Sequence, residues 1–171
     1  MKFSLPALLL SLCASASQAT HYPTTSLLTT SQKVTGKYEE KSSVFHAIPY
    51  ATPPIDGRRF RPPQPLNPAK ETRPINAKHI KHMCPQFDIG KGLHLGSEDC
   101  LHLSIYVPQN APPKHGGWNN KGAFPPTKPL PVMFWIFGGA FVLGDEQEFG
   151  LYNGKNLAET QDVIIVAANY R

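Results

Sequence analysis

Apolar residues along this chain come in short blocks and do not follow a helical period. The first block, residues 5–12 (LPALLLSL), follows a single cation and precedes small residues ending Ser17-Gln18-Ala19. That order is a secretory signal whose core is too short to cross a bilayer as a helix, so residues 1–19 are expected to be removed and the product to be secreted and extracellular. Residues 20–32, rich in Ser and Thr, read as a flexible lead-in. Regular structure is expected from residue 33 onward. Residues 34–38 (VTGKY) predict a short strand and residues 43–50 (SVFHAIPY) a second extended piece, ended by Pro49, Pro53 and Pro54. From there to about Pro74 the chain carries Pro, Arg and Asn without apolar periodicity and reads as a long loop.

Three further blocks have strand character. Residues 101–107 (LHLSIYV) alternate apolar and polar as far as Ile105 and are bounded by Pro108. Residues 132–137 (VMFWIF) and 163–168 (VIIVAA) are continuous apolar runs, stopped by Gly138-Gly139 and by Asn169. Such runs predict buried strands in a sheet covered on both faces. Residues 153–161 (NGKNLAETQ) predict a short helix between them, and residues 108–131, around Trp118, a Pro, Gly and Asn linker. Strand, helix and strand in succession favour an α/β fold.

Composition narrows this further. At 171 residues, 40% of them hydrophobic and 17% charged, the chain is a folded protein of about one domain. Its 18 Pro and 13 Gly exclude a helical bundle. The formal charge of +5 falls to about +4 once Lys2 leaves with the signal, and the densest basic cluster is only Arg58, Arg59 and Arg61. Nucleic acid is therefore not an expected partner, and no later apolar segment is long enough for a membrane span. Cys13 also leaves with the signal. The remaining pair, Cys84 and Cys100, reads in an oxidising compartment as one structural disulfide closing a loop of about 17 residues, worth roughly 3 kcal/mol.

The candidate chemistry begins where the run at 132–137 meets Gly138-Gly139-Ala140-Phe141 and then Gly144. A strand ending in glycines leaves consecutive main-chain N–H groups free to converge on an anion or a developing oxyanion, although a Gly-Gly pair after a strand can equally be a plain turn. The histidines at His79, His82, His94 and His102 lack the Cys or carboxylate partners of a recognised four-ligand site, so neither a metal nor another cofactor is expected. Asp145, Glu146 and Glu148 read most simply as a solvated loop.

Five segments together resemble the type-B carboxylesterase/lipase family, the cholinesterase-like branch of the α/β-hydrolases. Residues 45–54 (FHAIPYATPP) resemble F-x-G-I-P-Y-A-x-P-P, followed by Gly57-Arg58-Arg59-Phe60 for G-x-x-R-F. Cys84-Pro85-Gln86 resembles C-P-Q, residues 98–106 (EDCLHLSIY) resemble E-D-C-L-Y-L-N-I-Y, residues 135–141 (WIFGGAF) resemble W-I-Y-G-G-G-F, and Asn169-Tyr170-Arg171 resembles N-Y-R. The likeness runs over residues 33–171 in the family's order.

The resemblance implies the N-terminal part of an α/β-hydrolase fold, an incomplete mixed central sheet, with residues 33–171 a partial domain truncated at its C-terminal end. It implies Cys84 and Cys100 as a disulfide, Arg59 and Glu98 as a buried structural ion pair, and the N–H groups of Gly139 and Ala140 as oxyanion-hole donors. Ala140 stands for a third Gly, Phe137 for Tyr, and His46 is read as standing for the Gly of G-I-P-Y-A. Of the aromatics Trp118, Phe124, Phe141, Phe149 and Tyr152, Phe141 lies beside the donors, while the others read as packing residues before pocket residues.

The implied activity is carboxylic ester hydrolysis through an acyl-serine, on a small-molecule or lipid ester. That chemistry needs a Ser in G-x-S-x-G followed by an acid and a His, and the chain contains no such motif. The 171 residues are therefore expected to hold part of an oxyanion hole and none of the triad. Since the family sheet sets the nucleophile-bearing strand beside the one ending at Phe137, they are also expected to leave an apolar strand edge exposed. The alternatives are a non-catalytic binding protein on the same scaffold and an inactive truncated gene product.

Overall fold

The computed structural model describes residues 32–39, 41–67, 73–88, 90–108, 129–147 and 152–171, together with the backbone of 24–26. Residues 1–23 and 27–31, which include the stretch expected to be a signal and most of the expected lead-in, lie outside the described residues, as do Trp118, Phe124, Glu148 and Phe149. The strands are β1 (Thr24–Ser26), β2 (Lys33–Thr35), β3 (Lys37–Glu39), β4 (Ser42–Pro49), β5 (Ile75–Asn76), β6 (Gln86–Asp88), β7 (Leu93–Leu95), β8 (His102–Pro108), β9 (Val132–Trp135) and β10 (Ile164–Ala168). Helix α1 (Lys155–Gln161) and a 3-10 turn at Asp56–Arg58 complete the described elements.

The main sheet has the order β3-β4-β8-β10-β9 and is antiparallel except for the β10–β9 pair, which α1 connects. It is the incomplete mixed sheet the resemblance implies. The strand expected over 34–38 is broken at Gly36, where a Cβ would stand 2.4 Å from the Val44 carbonyl oxygen and 2.5 Å from the Phe45 ring. Only glycine passes that crossing. Lys33–Thr35 accordingly joins a small sheet with β1 and β5, while Lys37–Glu39 pairs with β4.

Alternation along β4 and β8 builds two cores. Val44 and Tyr106 face α1 with Ala158, Val163 and Ile165, whereas Phe45 and Val107 face Val34, Ile48 and Ala77 on the other side. Fully burying side chains of this kind contributes about 1.5–3 kcal/mol each. Phe45 and Ile48 share a face despite odd spacing because β4 bulges. Phe45 lies opposite Ile105 and Ile48 opposite Leu103, so three steps match two. Within the bulge Ala47 has φ 52°, and the His46 N–H leaves the ladder to donate to the Ala77 carbonyl. The backbone position suited to glycine is therefore Ala47 and not His46, which corrects the expectation from the motif.

A second correction concerns the run at 132–137. Its strand is not buried, since Phe134 is 55% and Ile136 69% exposed. β9 is bonded to β10 on one side only, and no described element lies against its other edge. Such an edge, apolar and unpaired, is a template for association.

Candidate active site

The chain leaves β9 into a tight turn closed on one carbonyl: the N–H groups of Val142 and Leu143 donate to the Gly139 oxygen at 3.0 and 3.1 Å. To make that turn, Gly139, Ala140 and Phe141 take φ values of 150°, 53° and 65°. Neither the Gly139 N–H nor the Ala140 N–H donates to any described residue. Both therefore remain available at a cavity of about 510 Å³ lined by the turn, Pro85, Gln86 and Tyr170. Ala140 reaches the left-handed region at a cost of about 1–2 kcal/mol that a glycine would not incur.

Two groups distant in sequence hold this turn. The Gln86 amide makes a paired contact with Gly144, accepting its N–H at 2.8 Å and donating to its carbonyl at 2.9 Å. The disulfide Cys84–Cys100, with Cα atoms 5.0 Å apart, anchors the segment from which Gln86 projects. On the other side, the Phe137 ring stacks on Tyr170 with centroids 4.4 Å apart, and the Tyr170 hydroxyl donates to the Phe137 carbonyl. Asn169 accepts the Glu146 N–H at 2.9 Å, and its own N–H donates to the His102 carbonyl. The residues after β10 thus grip both ends of the turn. Replacing Gln86 with Ala leaves the Gly144 groups unpartnered and should cost about 1–3 kcal/mol. Faster hydrogen exchange at 142–144 than elsewhere in the sheet is the expected readout, and uniform exchange would contradict it.

Arg59 and Glu98 do meet, at 2.5 Å, but their side chains are 52% and 39% exposed. The pair is not buried as the resemblance implied, because it lies on the surface beside Phe60, which is 94% exposed. Solvent-screened pairs of this kind contribute about 0–1 kcal/mol. Phe141 projects fully into solvent.

The loop after Gly144 departs most from expectation. Glu146, read as solvated, is 2% exposed. Its Oε1 accepts the Ser104 hydroxyl at 2.7 Å, and Ser104 Oγ lies 3.0 Å from His46 Nδ1. The bulge in β4 is what turns His46 toward β8, where its ring also meets the Tyr106 edge at 5.8 Å. Ser, His and Glu here do not form a nucleophile triad: the hydroxyl sits between the other two and is fully buried. No local pattern announced this cluster, which joins residues 42 and 58 positions apart.

Burial pushes the Glu146 carboxyl up to about 7, with Asp145 adding to the effect and Ser104 opposing it. Burial pushes His46 down to about 4, helped by Lys37, and His102 is lowered in the same way beside Lys81. The signs of the linkage are opposed. Stability from Glu146 is full below its ordinary 4.5 and lost as pH rises through about 7. Stability from neutral His46 is full above 6.5 and lost as pH falls through about 4. Glu146→Gln removes only the first contribution. Its thermal midpoint should therefore climb with pH between 4 and 6.5 more steeply than that of the unmodified chain, and parallel profiles would refute the assignment.

The order and topology of the mixed sheet are those of the N-terminal portion of an α/β hydrolase. Comparison with known proteins agrees. The model of the Carboxylesterase family matches residues 23–171, and the chain belongs to that family. It is 35% identical to liver carboxylesterase 1F of Rattus norvegicus, covering 84% of this chain and 26% of the relative. It is 36% identical to para-nitrobenzyl esterase of Bacillus subtilis (strain 168), covering 81% and 26%. Among solved structures, a thermophilic PNB esterase aligns with a TM-score of 0.64 at 36% identity, covering 82% of this chain and 26% of that one. The chain spans about a quarter of the length of these relatives.

Proposed function

We propose that the full-length gene product is a secreted carboxylic ester hydrolase acting through an acyl-serine intermediate, with the N–H groups of Gly139 and Ala140 holding the negative oxygen of the tetrahedral intermediate. The observation that carries this reading is a pair of amides, engaged by no described residue, in the lining of the 510 Å³ cavity. An ester carbonyl gains negative charge only as it is attacked, so fixed donors stabilise the transition state more than the bound substrate. One such donor is worth about 2.7–4 kcal/mol in a complete site. Phe137, Val142 and Leu143 give the cavity apolar walls suited to a small-molecule or lipid ester.

This reading assigns the nucleophile, its base and its acid to sequence outside the 171 residues, which hold no G-x-S-x-G. Mixing the full-length product with p-nitrophenyl acetate should release a stoichiometric burst of nitrophenol, followed by turnover that a phosphonate ester abolishes. The 171 residues by themselves should give neither. Full-length protein with no burst and no turnover would overturn the hydrolase reading in favour of a binding protein.

A further inference from the structure

We propose that Glu146, Ser104 and His46 form a buried hydrogen-bond relay whose direction reverses when Glu146 gains or loses its proton, so that the loop following the amide turn is latched differently in the two states. The proposal does not depend on the ester-hydrolase reading. Its basis is geometric. The contacts of 2.7 and 3.0 Å make Ser104 Oγ the single bridge between a carboxyl and an imidazole, and all three side chains are at most 4% exposed. A hydroxyl has one proton, so it can donate to only one of these neighbours at a time.

The second oxygen of Glu146 decides which arrangement accompanies which protonation state. Among the described residues Oε2 is buried without an acceptor, and the Ser104 main-chain N–H that also acts on the carboxyl can only donate, so a proton placed on Oε2 would be an unsatisfied donor. The neutral carboxyl therefore carries its proton on Oε1 and donates to Ser104 Oγ. Ser104 then donates to His46 Nδ1, and the imidazole proton sits on Nε2. When Glu146 ionises, its proton leaves to solvent and Oε1 can only accept. The Ser104 hydroxyl turns to Glu146, and His46 must offer Nδ1–H to the freed Oγ lone pair. The imidazole stays neutral and changes tautomer by exchange with solvent, so the net change is one proton released.

The surroundings favour a carboxyl that switches over one that stays charged. Asp145 flanks Glu146 on its own segment, Tyr106 and Ser104 face it from β8, and Asn169, after β10, holds its N–H. Among the described residues no cation acts on the Glu146 carboxyl. His46 feels Lys37 and Glu39 from β3 and His79 from the segment after β5. Because Glu146 lies two residues beyond Gly144, the two states hold the end of the amide turn by different hydrogen bonds.

The test is nuclear magnetic resonance on the intact chain labelled with ¹⁵N in histidine and ¹³C in the glutamate carboxyl. The Glu146 carboxyl should titrate near its raised value of about 7. At the same midpoint, the two ring nitrogens of His46 should exchange pyrrole-type and pyridine-type shifts. Since His46 itself protonates only near 4, that exchange is a tautomer change and not an ionisation. In Glu146→Gln the His46 shifts should stay constant across this range. In Ser104→Ala, Glu146 should still titrate while His46 no longer follows. Titration of Glu146 at its ordinary 4.5, a His46 ring silent at the Glu146 midpoint, or a response that persists in Glu146→Gln would each overturn the relay. The unmodified chain decides the question alone if either variant does not fold.

Discussion

Replacing Gly139 with alanine is expected to collapse the amide turn, the largest effect of any single substitution considered. A Cβ at this position would stand 1.6 Å from the Leu143 carbonyl oxygen, and the backbone holds φ at 150°, where L side chains are rarely found. No rotamer relieves that overlap, because both colliding atoms belong to the framework of one turn. Relief requires breaking the bonds from Val142 and Leu143 to the Gly139 oxygen, and with them the orientation of the free amides. The expected cost is about 4 kcal/mol, in the range reserved for strain at special backbone positions. Gly138→Ala is the control, since nothing lies within 4 Å of its Cβ. Urea unfolding of the two variants side by side checks this. Equal midpoints would show that the turn does not need its glycine.

Loss of the disulfide is the second large effect. Cys84 and Cys100 are 16 residues apart, and opening that loop returns roughly 3 kcal/mol of chain entropy to the unfolded state. The covalent link also fixes the segment from which Gln86 reaches Gly144. The double variant Cys84→Ser and Cys100→Ser should therefore lower the urea midpoint by about 1.5 M and loosen the turn as well. A lowered midpoint with unaltered hydrogen exchange at 142–144 would separate the two roles and assign the bond to global stability alone.

The elements legible from pattern were those whose burial is set locally. Alternation over 101–107 and the continuous run over 163–168 mark β8 and β10, and the polar stretch between two apolar runs marks α1. The glycines after β9 marked the amide turn because a left-handed backbone leaves a residue-level signature. What escaped depended on distant partners. Glu146 sits in an acidic, loop-like stretch and is buried only because Ser104, 42 residues earlier, supplies a hydroxyl. Gln86 looks like any polar residue after a proline until Gly144 is brought against it. The bulge that turns His46 inward is a mismatch of register between two strands, and neither strand alone contains it. Conversely, an apolar run taken alone reads as buried whatever flanks it, and the open edge at β9 was legible only through the family resemblance, which puts a further strand beside it.

The most direct measurement removes one proton donor and leaves every side chain in place. In the full-length gene product, Ala140 is replaced by its α-hydroxy analogue, lactic acid, so that an ester oxygen stands where the amide N–H was. That N–H has no partner within the described residues, but the ester also makes the Gly139 carbonyl a weaker acceptor for the Val142 and Leu143 N–H groups, so the urea midpoint should fall slightly. A second ester at Val142, which weakens the turn and leaves both amides in place, is the control. If Gly139 and Ala140 hold the oxyanion, kcat for p-nitrophenyl acetate falls about 100- to 1,000-fold with KM little changed. An unaltered kcat would show that these amides take no part in the reaction.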